Sequence, residues 1–264
     1  MCSPCRSGRT GTWPASCRSP RRAGLGTALL RHAADRARQN GRTLVTGHSL
    51  ENSAGAAFAR SLGAKQGLTG VFWALHPRSL PAGRLAALRE KAAPGAAGYS
   101  LVSWEGPTAE DRLVQVAALF DVEADAPRAA GEEPAWWDAA RVRAEDERIA
   151  AQGRRFYTVA AREYRTGRLV AITQLGVEPL DGSAFQELTA VAGPHRGHRL
   201  GLLVKVAMLQ LLAAHEPQLT QIVTRTAEGN EHMDAINTEL GFTVLERQLS
   251  WELETARIPR PAQS

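Results

Sequence analysis

No cysteine lies beyond residue 17 of this 264-residue chain. That excludes a disulfide framework as the source of stability in its body. Cys2 and Cys5 have zinc-like spacing, but Cys17 alone and no nearby His leave a four-ligand site incomplete, so no metal is expected. Long apolar runs are missing too. The segment 200–214 is broken by Lys205 and Gln210, which argues against a membrane span. The first 20 residues lack the apolar stretch of a secretory leader, so a cytoplasmic protein without a membrane partner is the expectation. Positive charge is scarce outside the amino-terminal segment. Residues 1–42 hold nine Arg, no Lys and one acid, and carry +8 of a chain total of +5, which leaves 43–264 at −3. A nucleic-acid reading would rest on that segment alone, and it has no aromatic stacking pattern, so nucleic acid is not an expected partner.

What is present reads as a soluble globular chain. Apolar residues make up 44% and charged residues 22%, and the length suits one or two domains with real cores. One design occurs twice. In the stronger copy a β-like run ends at Val191 and enters a turn, Gly193 to Gly201, that opens an apolar-faced helix. The first copy runs from Arg21 and Arg22 through Gly24 and Gly26 into the helix carrying Leu29 and Leu30. The first turn of such a helix presents N–H groups without intrahelical partners, and the helix dipole adds partial positive charge there. A pyrophosphate is the natural occupant.

These turns resemble motif A of the GNAT acetyltransferase superfamily: Gln or Arg, two residues, Gly, one residue, then Gly or Ala. Arg21, Gly24 and Gly26 fit fully. Arg196 and Gly201 fit in the second copy, where Arg199 stands at the middle Gly. Asn230, Met233 and Asn237, then Leu240-Gly241-Phe242, resemble the family's fourth helix and following strand; 53–62 and Gly63 take that place in the first copy. The run 186–191, then 195–201 and 224–237, is similar to an actinobacterial-type tandem group within the superfamily.

The resemblance implies an α/β (α+β) fold with a mixed, mostly antiparallel sheet flanked by helices, as one complete copy plus a partial one. The expected organisation is an irregular tail at 1–20, a partial repeat at 21–77, a linker at 78–97 with helix at 81–92, a complete domain at 98–254, and a tail at 255–264. Only 20 residues precede the first turn, where the family places several strands; a shifted start site or an upstream frameshift is the expected explanation, and sequencing the gene upstream tests it. Within 98–254 the pattern predicts a strand at 99–104, helices at 108–119 and 135–152, and strands at 156–163, 168–177 and 184–191. A helix from 197, a strand at 221–226, a helix at 230–240 and one or two closing strands at 243–253 follow.

By the same resemblance the function is N-acetyl transfer from acetyl-CoA, as co-substrate, to a small-molecule or peptide amine. The site falls in the carboxyl-terminal domain, and a homodimer is an open possibility. Arg196, Gly197, His198, Arg199, Leu200 and Gly201 would wrap the pyrophosphate, mainly through backbone N–H groups. Val191 would pair with the pantetheine arm, and Asn230 and Asn237 would approach from the other side; Asn230 reads equally well as a helix cap. Many members carry a Tyr acid four residues before the Gly of Gly-Phe, where Asn237 stands here. Glu187 is the candidate base: alternation puts Phe185, Glu187, Thr189 and Val191 on one face, with Glu178 and Asp181 nearby. The competing reading is a non-catalytic acyl-CoA-binding or regulatory module.

Overall fold

The computed structural model of the protein describes residues 24–123, 136–179 and 182–259. The tail at 1–20 with its three Cys, Arg21 and Arg22 of the first turn, Asp181, and most of the loop expected at 121–134 lie outside the described residues. The chain divides into two compact units, one of residues 1–46 with 252–264 and one of 47–251.

In the smaller unit, α1 (Leu25–Gln39) begins at Gly24, whose φ of 80° is left-handed and free of cost for glycine. Its Ala34 is buried. The Arg38 guanidinium holds the Asp35 carboxylate and donates to the carbonyls of Thr255 and Ile258, which ties α1 to a 3-10 turn at Thr255–Arg257.

The larger unit carries the remaining elements, and β1 (Leu44–Leu50) and β8 (Thr243–Glu254) run into it. After β1 come α2 (Ala54–Ser61), β2 (Lys65–Leu75) and α3 (Arg84–Ala92). The next are β3 (Tyr99–Glu105), α4 (Leu113–Glu123), α5 (Ala139–Ala151), β4 (Arg155–Glu163), β5 (Leu169–Val177) and β6 (Ser183–Val191). Then follow α6 (Leu200–His215), β7 (Gln221–Ala227) and α7 (Glu231–Leu240). The sheet order is β1-β8-β2-β7-β6-β5-β4-β3. β3 to β6 form an antiparallel meander, β2 pairs antiparallel with β7, and β6 with β7 is parallel. The fold is therefore the expected mixed, mostly antiparallel sheet flanked by helices. The closing segment is one strand, and it lies between β1 and β2.

Two cores clamp the sheet. On one face Leu200, Val204, Met208 and Leu212 of α6 meet Leu175, Val177, Val71 and Leu75. On the other, Leu113, Val116 and Phe120 of α4 and Val142 of α5 meet Ala160, Ile172 and Leu188. Strand β5 lies between them with all nine residues buried, which its apolar sequence requires. Each fully buried Leu or Val contributes on the order of 1.5–3 kcal/mol. The segment expected as a linker, 78–97, supplies Leu88, Ala92 and Ala96 to the first core.

Three element starts differ from the pattern-based reading. Thr108 does not cap α4: its N–H donates to the buried Asp146 carboxylate of α5 (2.8 Å), and the helix begins at Leu113. Burial raises the Asp146 pKa against that hydrogen bond. Helix α5 begins at Ala139, because Asp138 has extended backbone and caps it by accepting from the Arg141 N–H (2.7 Å). Helix α6 begins at Leu200 rather than 197, because Arg199 is left-handed.

Candidate functional site

Strands β6 and β7 pair only from Ser183 to Gln186 against Gln221 to Thr224, the last contact being a long Thr224 Oγ1 bond to the Gln186 carbonyl (3.4 Å). Beyond that point they part. Residues 187–191 keep β5 on one side, and 225–227 keep β2 on the other, so a wedge opens between them. Parallel strands that splay expose main-chain donors and acceptors to whatever enters the gap. The turn leading to α6 lies at the mouth of this wedge.

That turn is built from its own backbone. Pro194 sits in a 3-10 turn, Gly193–His195, and Gly197 has φ 86°. Arg199, with φ 57°, is the only non-glycine residue at positive φ among the described residues. It is the N-cap of α6 as Gly24 is the N-cap of α1. The middle motif position is thus left-handed in both copies, and the second copy places Arg where only glycine is unstrained. Arg199→Gly is expected to raise the unfolding free energy by about 1 kcal/mol. Denaturant titration measures this, and an unchanged midpoint would mean that no strain is stored there.

The N–H groups of residues 197–201 have no acceptor among the described residues. Gly197, His198 and Arg199 are exposed. A row of unpaired N–H groups at a helix N-terminus, with Arg196 and Arg199 beside it, fits a phosphate-bearing group. The side chains around the row are fastened to the scaffold. His195 Nδ1 shares a hydrogen bond with the Tyr99 hydroxyl (2.9 Å), and His198 Nδ1 lies 3.1 Å from the Gly95 carbonyl. Arg196 Nε donates to the Val191 carbonyl (3.3 Å). Both imidazoles pack on Tyr99. The histidines therefore anchor the turn by their rings and offer a ligand their backbone.

Gly201 has a packing role. A Cβ there would stand 3.2 Å from Ile236 Cδ1 and 3.8 Å from Val191 Cγ2, so its absence lets α6 close on α7 and the end of β6. On the far rim, Trp73 Nε1 donates to Thr226 Oγ1 (2.9 Å), which donates to Asp234 Oδ1 (2.8 Å). This bonds β2, β7 and α7 together. Asn230 caps α7, its Oδ1 accepting from the Met233 N–H (3.2 Å), which ties that oxygen to the helix and leaves Nδ2 as a donor for a ligand. Asn237 is fully buried on α7; Lys205 Nζ donates to its Oδ1 (2.5 Å) and its Nδ2 has no partner.

Glu187 lies at a β-bulge. Leu188 pairs with Gln174 and Gln186 with Leu175, so Glu187 is the extra residue. The bulge reverses the alternation expected from sequence. Gln186, Thr189 and Val191 share the α6 face, joined through Gln186 Nε2 to Thr173 and Thr189, whereas Phe185 is on the opposite face. The single face expected for Phe185, Glu187, Thr189 and Val191 does not exist. The Glu187 carboxylate meets Arg154 Nη2 (2.7 Å), whose Nε lies 2.8 Å from Glu178. Arg154 is itself 11% exposed, and the missing Cβ of Gly176 makes room for it. Sequence reasoning missed both Arg154, whose partners Glu178 and Glu187 lie far along the chain, and Lys205. For Lys205 the signal existed: a lysine in a helix apolar all round has no wet face to occupy.

Among the described residues no three His, Cys, Asp or Glu side chains gather as a metal site, and no helix is long and apolar enough to cross a membrane.

No protein-family model and no curated protein matches the chain. Solved structures do. A tandem GNAT protein from the clavulanic acid biosynthesis pathway, solved without AcCoA, is 31% identical over 89% of this chain and 71% of its own, with a TM-score of 0.71. A GCN5-related N-acetyltransferase from Sphaerobacter thermophilus is 16% identical over 92% of this chain and 71% of its own, with a TM-score of 0.62. A GCN5-related N-acetyltransferase from Kribbella flavida is 15% identical over 89% and 76%, with a TM-score of 0.53. The latter two share the fold.

Proposed function

Because the chain belongs to the GNAT family of N-acetyltransferases, we propose that it transfers an acetyl group from acetyl-CoA to an amine, at a site within 98–254. The observation that carries this reading is the β6–β7 wedge, whose mouth bears the unpaired N–H groups of residues 197–201. In this reading the pyrophosphate rests on those groups and the Arg199 guanidinium pairs with a phosphate oxygen. The pantetheine arm enters the wedge along Val191, and Asn230 Nδ2 meets it from α7. The tandem relative and the matching left-handed positions at Gly24 and Arg199 support a shortened first repeat at 21–77 with a structural role.

Acetyl-CoA supplies an activated acyl group. The amine must be neutral to attack; its nitrogen forms the new C–N bond as the C–S bond breaks and the sulfur leaves with the electron pair. Glu187 accepts the proton lost by the nitrogen, directly or through water. Arg154 holds that carboxylate in place, and Glu178 on the same guanidinium adds negative charge that favours a cationic acceptor. Two observations favour the second reading, a binding module without turnover: Glu187 is already engaged by Arg154, and position 237 carries no phenol.

The test is a thermal melt with and without acetyl-CoA, beside an Arg199→Glu variant. Acetyl-CoA at about 100 times its dissociation constant adds roughly 2.7 kcal/mol, a shift of several degrees. The exposed Arg199→Glu side chain leaves the fold intact and should abolish most of that shift at the same concentration. A well-folded wild type that does not respond refutes the reading. A response without CoA release over a panel of amines establishes the binding module instead.

A further inference from the structure

Lys205 is one of three lysines in the chain and is 2% exposed in the middle of α6. It makes no ion pair among the described residues. Its ammonium lies 5.1 Å from the Phe242 ring centroid and donates to Asn237 Oδ1. Burial lowers its pKa to about 7. A buried cation held by one amide and one ring is poorly compensated, and hydrophobic packing would serve the fold better. The arrangement therefore calls for a role other than stability.

Asn237 supplies the other half. An ammonium can only donate, so the Asn237 atom facing it is the oxygen, which fixes the amide flip. Nδ2 then stands at the opposite corner of the amide, buried and without an acceptor. A buried donor left unpaired forfeits the hydrogen bonds it made to water in the unfolded chain. Its neighbours in the fold border the wedge. Gly201, one turn before Lys205, touches both Val191 at the end of β6 and Ile236, the residue before Asn237. A thioester whose phosphates rest on 197–201 and whose arm runs down β6 passes this turn of α7.

We propose that Lys205 is a positioning residue that orients Asn237, and that Asn237 Nδ2 donates a hydrogen bond to the sulfur of the CoA thioester and to the departing thiolate. The inference rests on the acetyl-CoA reading above. During transfer the C–S bond breaks, the electron pair stays on sulfur, and the Nδ2–H bond strengthens as that charge develops. No proton passes from Asn237; the thiolate takes its proton from solvent after release. Lys205 acts through the amide oxygen: its N–H donates to Asn237 Oδ1 whether the amine is charged or neutral, which keeps Nδ2 on the other side of the amide.

The test needs no knowledge of the acceptor. Free coenzyme A is bound to wild type, Lys205→Met and Asn237→Leu, and its thiol is titrated by ultraviolet absorbance of the thiolate. Wild type should lower the thiol pKa by about one unit, which is 1.36 kcal/mol of preference for the thiolate. Both variants should return it to the free value while still binding coenzyme A through the 197–201 turn. With acetyl-CoA and hydroxylamine as a probe nucleophile, both should lose about 100-fold in kcat with little change in KM. The double variant should lose no more than either single one. A merely structural Lys205 would leave the bound thiol pKa unmoved by Lys205→Met, and that result overturns the proposal alone. A thiol pKa that stays low in Asn237→Leu overturns it too. Failure of folded wild type to bind coenzyme A overturns the acetyl-CoA reading along with it.

Discussion

Between pH 7 and pH 10 the wild-type protein should gain about 4 kcal/mol of stability that Lys205→Met does not gain. The sign follows from proton binding. In the unfolded chain Lys205 titrates at the ordinary value of 10.5, and in the folded protein burial holds it near 7. Below pH 7 both states carry the proton and the folded state bears the full cost of a buried charge. Between the two values the unfolded chain binds more protons, so stability rises with pH, and the penalty is gone near 10.5. Tyr157 acts in the opposite sense at the top of the range. Burial and the Glu216 carboxylate raise its pKa, so above pH 10 the unfolded chain loses that proton first and stability falls. Lys205→Met keeps the side-chain volume and removes the titration, and should be the more stable protein at pH 7. Denaturant midpoints of both proteins at pH 7, 8.5 and 10 read the effect. Parallel curves would mean that Lys205 is solvated in the folded state.

Replacing Glu216 with Ala is expected to cost about 3 kcal/mol at pH 7. Glu216 follows the last turn of α6 and is 3% exposed. Its carboxylate accepts from Arg155 Nε and Nη2 (2.5 and 2.8 Å), from the Tyr157 hydroxyl (2.7 Å) and from the Gln218 amide. These bonds fasten the end of α6 to β4. Arg155 is 42% exposed, so water takes over much of its charge once the partner is gone. The cost comes from Tyr157, whose buried hydroxyl loses its acceptor, and from the hole left behind. Arg155, above all, holds the Glu216 pKa below the ordinary carboxylate range. This contribution is therefore present above about pH 4.5 and is lost as pH falls through the lowered folded value. The charge-dependent part of the gap between wild type and variant should shrink in acid while the part due to the Tyr157 hydroxyl and the cavity remains, and a gap that acid leaves unchanged would show that the charge of Glu216 adds nothing.

Much of the element list was legible because each element obeys one period. The 3.6-residue recurrence of Leu200, Leu203, Val204 and Met208 marks α6, and two short, largely apolar runs at 156–163 and 168–177 on either side of Thr166-Gly167 mark the hairpin that Gly167 turns at φ 69°. What was not legible depends on partners far away or on a broken period. The Glu187 bulge has no residue signature, and a period-two reading carried across it puts Phe185 and Val191 on the same face. The Thr108 N–H finds Asp146, 38 residues on, a partner that no local pattern reveals. Arg199 adopts a conformation that its type disfavours, which moves the start of α6 by a turn. At the site, the pyrophosphate turn could be read from glycine spacing because its donors are backbone groups. The Lys205–Asn237 pair could not, since it requires two helices brought together through the missing side chain of Gly201.

The position of β8 also sets an order of events during synthesis. Ser250 bonds the Leu68 carbonyl in β2 and Trp251 bonds Ser49 in β1, so β8 is the joint between the two. Leu249 and Trp251 complete the small apolar cluster beneath Ala56 and Ala59 of α2. A ribosome that has released β1, α2 and β2 has made two strands with a vacant lane between them. Almost 170 residues later that lane is still open, and at 5–20 residues per second it stays open for roughly ten to thirty seconds. Throughout that interval β2 offers a bare edge to any passing strand. The nascent chain is thus most exposed to mispairing where the finished protein has a fully paired interior strand, and a helper that guards β2 would be needed only until residue 251 emerges.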